Sequence, residues 1–200
     1  MVTTGGTSTR SLRVFQSRCQ SLNRRGKSEI TMHEEIQPDR HHELIYCTKL
    51  GLLYHRKRER FFDLLDKETK AITVVLGATL LGDFARNAVT AVGGIVSALA
   101  LLALVFSYSD RKQRHKELAM AYADLRSKIE NVGTAYTEDQ LNSWHGEYHK
   151  LNGMEPPALG TLVVLCQNEI AVEEGQLDKV VKVHWYKQLF ANWRDFPLAT

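Results

Sequence analysis

The sequence predicts an all-α membrane protein, an antiparallel two-helix transmembrane hairpin with a juxtamembrane helix before it and a cytosolic helical tail after it. Three observations predict this class. An uncharged stretch of 23 residues runs from Asn87 to Ser109, and at ~1.5 Å per helical residue it covers the ~30 Å of a hydrocarbon core. A second apolar run, Ala71 to Gly82, stands just before it between Lys70 and Asp83. Elsewhere the apolar residues recur at helical spacing, and no alternating strand pattern competes.

Four regions follow along the chain. Residues 1–31 hold six Arg/Lys against Glu29 alone. They are rich in Ser, Thr and Gly and show no apolar periodicity, so a disordered basic leader is expected, or an upstream start ahead of Met32. An organellar transit peptide has the same composition. The whole chain carries +3, so removing the leader's net +5 leaves −2. The basic balance therefore belongs to the leader and gives no reason to expect nucleic acid as a partner.

Residues 32–70 read as a cytosolic juxtamembrane helix. Leu50, Leu53, Tyr54, Phe61, Leu64 and Leu65 recur at helical spacing, opposite Arg56, Arg58, Arg60 and Glu59. Tyr54, His55, Arg56, Lys57, Arg58, Phe61 and Phe62 form its basic and aromatic face. That face either packs on other helices or meets anionic headgroups, with Phe61 and Phe62 at the interface. Residues 71–109 are the hairpin. Lys and Arg crowd both of its outer ends, while the five-residue loop Asp83–Asn87 offers Arg86 alone. The positive-inside rule then predicts a multi-pass protein with both termini cytoplasmic, and the membrane expected for it, by the resemblance given below, is a bacterial inner membrane.

Residues 110–200 read as a cytosolic helical module. The second span is expected to continue as a helix to about Glu130, striped by Leu118, Ala121, Leu125 and Ile129 and ended by Asn131-Val132-Gly133. Thr137 with Gln140 fits a capping box that opens a helix to about Leu151. Pro156 and Pro157 open the next through Glu173, and Lys179 to Trp193 form the last. Leu159, Leu162, Val163, Leu165, Cys166 and Ile170, together with Trp185, Leu189 and Trp193, are the expected core of this bundle.

Within the hairpin, Ala78 with Gly82, Gly93 with Ser97 and Gly94 with Ala98 are each four apart. Small residues at that spacing let helix backbones approach, within one hairpin or between copies in a homo-oligomer. Asp83 and Arg86 either pair at the turn or ring a pore mouth in an assembly.

Nothing points to catalysis. The chain lacks a phosphate-binding G-x-x-x-x-G-K-[ST], a dinucleotide G-x-G-x-x-G and a G-x-S-x-G nucleophile elbow. His145 and His149 stand one helical turn apart, but a zincin needs Glu directly after the first His and further ligands elsewhere. Cys19, Cys47 and Cys166 form no C-x-x-C pair, which argues for reduced thiols. No catalytic residue, metal ligand or cofactor is expected.

The run Tyr54-His-Arg-Lys-Arg-Glu-Arg-Phe-Phe62, two closely spaced spans, the basic exit helix from Ser109 to His115 and the helical tail resemble the SLATT family over about Leu44 to Trp193. These are two-transmembrane effector domains associated with nucleotidyltransferases and SLOG sensors in prokaryotic conflict systems. The resemblance implies an oligomeric pore-forming effector of anti-phage defence, triggered by a nucleotide-signalling partner, whose partners are the lipid bilayer, further copies of itself and a nucleotidyltransferase or SLOG-type sensor. The alternative is a membrane anchor or adaptor that tethers a cytosolic partner through the helical tail.

Overall fold

A computed structural model describes residues 37–79, 93–98 and 107–196, with side chains of the first stretch from 40 to 75. The chain is mostly helical, and the described residues contain no strand. Its elements are α1 (Gln37–Thr79), α2 (Tyr108–Val132), α3 (Glu138–Met154), α4 (Gly160–Glu173), a 3₁₀ turn (Leu177–Lys179) and α5 (Trp185–Leu189). Residues 93–98 add a short helical stretch. The chain divides into two compact units. The first comprises Met1–Tyr54 with Leu118–Thr200, and the second His55–Glu117.

In the first unit, the early turns of α1 contribute Leu44, Cys47 and Leu52, which pack against Ala119, Tyr122, Leu125 and Ile129 of α2 and Leu141, Trp144, Tyr148 and Leu151 of α3. The expected α2 stripe is present: Leu118, Leu125 and Ile129 are buried, and Ala121 is half-buried. Gly133 ends α2 with φ +65, a left-handed conformation that glycine adopts without a Cβ penalty, and its N–H donates to the Ile129 carbonyl. A second cluster joins Tyr54, Leu162, Cys166 and Ala191.

The capping box at α3 is complete. Gln140 N–H donates to Thr137 Oγ1 at 3.3 Å, and Thr137 N–H donates back to Gln140 Oε1 at 2.9 Å. Thr137→Ala is expected to cost about 1 kcal/mol of unfolding free energy. Chemical denaturation followed by far-ultraviolet circular dichroism checks it, and an unchanged midpoint would mean that the cap is dispensable.

Two expected boundaries move. α4 begins at Gly160 rather than at the prolines. Leu159 ahead of it is extended, and Asp195 Oδ1 from the tail accepts from Thr161 N–H at 3.3 Å, placing a carboxylate at the positive end of the helix. A Cβ on Gly160 would stand 3.2 Å from that same oxygen, so glycine suits the close approach. The expected helix from Lys179 to Trp193 shrinks to Trp185–Leu189. Val180, Val181 and Val183 are β-branched and favour extended backbone. Asn168 then bonds both sides of Val181: its Nδ2 donates to the Val181 carbonyl at 2.7 Å and its Oδ1 accepts from the Val181 N–H at 2.8 Å. Backbone groups satisfied in this way gain nothing from joining a helix.

The expected inner-membrane, multi-pass placement is corrected. Among the described residues no helix is long and apolar enough to cross a membrane. α1 runs without a break past Lys70 to Thr79, but its last 18 residues include Asp63, Asp66, Lys67, Glu68 and Lys70, and charges at that density forbid a hydrocarbon span. Of the expected second span, only 93–98 and 107–109 are described. Ser107 there has φ +41, a left-handed turn residue from which α2 starts afresh at Tyr108.

Candidate functional site

In the second unit the basic and aromatic motif turns inward. His55 is fully buried, and its Nδ1 lies 2.9 Å from Nδ1 of His115 on α2. At that distance one imidazole must donate and the other accept, so the pair holds together only while at least one ring is neutral. Phe62 stacks on His115, with ring centroids 5.6 Å apart and planes 12° apart. The Arg58 guanidinium lies 4.6 Å from the Phe62 centroid and 5.6 Å from that of Phe61, within cation–π range. Burial first, then the charges of His55, Arg58, Arg114 and Arg111, push the His115 imidazole down to about 3. Asp63 holds Lys67 at 2.7 Å and Lys112 at 3.3 Å. Bonding to Lys67 keeps its carboxyl below the usual range. Of the seven motif residues only Arg56 is exposed, while Lys57, Arg58 and Phe61 are half-buried. Tyr54 is buried in the first unit, where its hydroxyl accepts from Leu159 N–H at 3.1 Å.

In the first unit His145 is buried and its Nε2 has no hydrogen-bond partner among the described residues. Burial, then Arg40 and His149, push it down to about 4. Its ring lies 6.3 Å from that of His149, and among the described residues no group of three His, Cys, Asp or Glu could hold a metal ion. Cys166 is a buried thiol outside any disulfide, whereas Cys47 is disulfide-bonded. Cys47 thus departs from the expectation of reduced thiols, and Cys166 agrees with it.

Of the remaining hairpin residues, only those from 93 to 98 are described with their side chains. Asp83, Arg86 and Gly82 lie outside the described residues, as does the side chain of Ala78. Gly93, Gly94, Ser97 and Ala98 fall in the helical stretch 93–98, where Gly94, Ser97 and Ala98 are exposed. Among the described residues, a Cβ added at Gly93 or Gly94 would meet nothing within 4 Å.

The largest departure from the expected core is the tail. Trp185, Leu189 and Trp193 are exposed at 75%, 65% and 61%, with Phe190 beside them. Trp185 and Leu189, four apart in α5, share one face, and Trp193 follows at the same interval through overlapping turns closed by Trp193 N–H to the Phe190 carbonyl at 2.9 Å. The segment is pinned rather than loose. Ala191 is buried with Tyr54, Leu162 and Cys166, Asn168 brackets Val181 on one side, and Thr161 Oγ1 donates to the Phe196 carbonyl at 3.2 Å on the other. Only the aromatic residue types and the four-residue interval were visible in the sequence; which way they face was not.

No family model, curated protein or solved structure significantly matches this chain. The likeness to SLATT effectors therefore rests on the quoted residues alone, as do the pore, the nucleotidyltransferase and the SLOG-type sensor that it implies.

Proposed function

We propose that this chain is a non-catalytic helical adaptor that holds a protein partner on the aromatic face of its C-terminal segment. One observation carries the reading: a unit that buries Tyr54, Tyr122, Trp144 and Tyr148 leaves Trp185, Leu189, Phe190 and Trp193 exposed on one pinned segment. Tryptophan is enriched among interface residues that carry most of the binding energy, and a surface fixed in advance loses little conformational freedom on binding. The adaptor does not depend on a bilayer, whereas a pore needs spanning helices that the described residues do not supply.

The test uses the full chain. Trp185→Ala with Trp193→Ala is expected to weaken binding of helical peptides selected on the parent chain by at least thirtyfold, following the ~2 kcal/mol or more of an interface hot spot. The thermal midpoint should be unchanged, since both side chains already face solvent. Calorimetric titration reads the affinity, and undiminished binding would sink the proposal.

A further inference from the structure

Charge narrows the partner. From Lys179 to Arg194 the chain carries Lys179, Lys182, Lys187 and Arg194 and no Asp or Glu. From Leu118 to Asp178 it carries ten Asp/Glu against three Lys/Arg. The aromatic face thus sits in a short basic island within an otherwise acidic stretch. Three other cations of this unit are ion-paired, Lys49 with Glu173 and Glu174, Arg126 with Glu130, and Lys128 with Glu147, whereas Arg40 bonds to the neutral Asn142. Lys182 and Arg194 are exposed and have no ion-pair partner among the described residues.

We infer that the segment seated on this face is an acidic amphipathic helix, its apolar stripe on Trp185, Leu189 and Trp193 and its carboxylates against Lys182 and Arg194. The inference rests on the adaptor reading above. A helix laid on an apolar strip presents anchors at intervals of three and four, which matches the four-residue interval here. Carboxylates at its rim satisfy the two cations and raise the rate of encounter. A second copy docking through the same face would set Lys182 and Arg194 against like charges. A long polyanion would have to run past the acidic remainder of the unit, so a compact acidic segment fits better than a nucleic acid.

The experiment is a selection of displayed helical peptides on the full chain, counter-selected against the Trp185→Ala/Trp193→Ala variant. Enriched peptides are expected to combine apolar residues at intervals of three and four with net negative charge. Lys182→Glu with Arg194→Glu should reverse the preference to basic peptides, with at least a tenfold loss for the original ones by fluorescence anisotropy. Enrichment of neutral or basic peptides that still need Trp185 and Trp193 overturns the acidic partner and leaves the adaptor standing. No tryptophan-dependent enrichment removes both. Binding of a single-stranded oligonucleotide or of anionic phospholipid vesicles, at an affinity equal to the selected peptides, also overturns the inference.

Discussion

Gly51→Leu is expected to lower the unfolding free energy of the first unit by about 3 kcal/mol, the upper part of the range for overpacking a filled core. Gly51 lies inside α1, and a Cβ there would stand 2.9 Å from Cζ of Tyr122 and 3.0 Å from both Cε atoms. The ring has little room to retreat. It is 1% exposed, its hydroxyl donates to Glu155 Oε1 at 2.5 Å, and Tyr148 lies 6.2 Å away, centroid to centroid. Two effects compete in the smaller change Gly51→Ala. Removing glycine from a helix interior gains about 1 kcal/mol in propensity, whereas the contact forces the Tyr122 ring or the α1 backbone to shift, at a cost of about 1–3 kcal/mol. The contact wins, so Ala should destabilise by about 1 kcal/mol and Leu by more. Urea titration monitored by circular dichroism measures both, and a higher midpoint for Gly51→Ala would mean that Tyr122 moves freely.

The same glycine illustrates what the sequence makes legible. Helix periodicity along Leu118, Leu125 and Ile129 identifies the buried face of α2, and Thr137 with Gln140 identifies the start of α3, because both signals lie within one element. Gly51 carries no such signal. Its need for a bare backbone comes from Tyr122, 71 positions later, and only packing reveals it. The tail was misjudged for a related reason. Spacing places Trp185, Leu189 and Trp193 on one face, but an apolar face reads identically whether a neighbour covers it or solvent does. The shortening of the last helix was partly legible in the β-branched valines, though the decisive partner, Asn168, was not.

Hydropathy alone was the weakest guide. The apolar run after Lys70 belongs to a helix whose preceding turns are charged, and a tally of apolar residues gives no weight to those charges. The motif from Tyr54 to Phe62 was recognisable as basic and aromatic. Its pairing with His115, across a separation of 60 positions, had no sequence signal, since an imidazole in a basic stretch reads as solvated until a second one faces it.

Those imidazoles set the second large effect, a loss of stability on acidification. His115 and His145 sit at about 3 and about 4 in the folded chain, against 6.5 for the free side chain. Their folded values are depressed, so between these limits the unfolded chain binds more protons than the folded one. Stability is therefore full above pH 6.5, falls as pH drops from there towards 4, and stops falling on account of His145 below that. His41, also held low by burial, adds in the same direction. Asp63, whose folded value lies below its ordinary 3.8, begins to count only under the acid end of this window. Allowing for solvent that reaches the two clusters, each imidazole contributes about 1–2 kcal/mol. His115→Gln with His145→Gln should flatten the dependence of the urea midpoint on pH between 6.5 and 4, whatever the variant's stability at pH 7. A slope identical to that of the parent chain would assign the acid sensitivity to other groups. The split of effects between the single variants has a physical reading as well: His115 acts within the second unit, where a second proton would set two donors and two charges 2.9 Å apart, whereas His145 acts within the first, where protonation places a charge beside Arg40 in a site that already leaves its Nε2 unsatisfied.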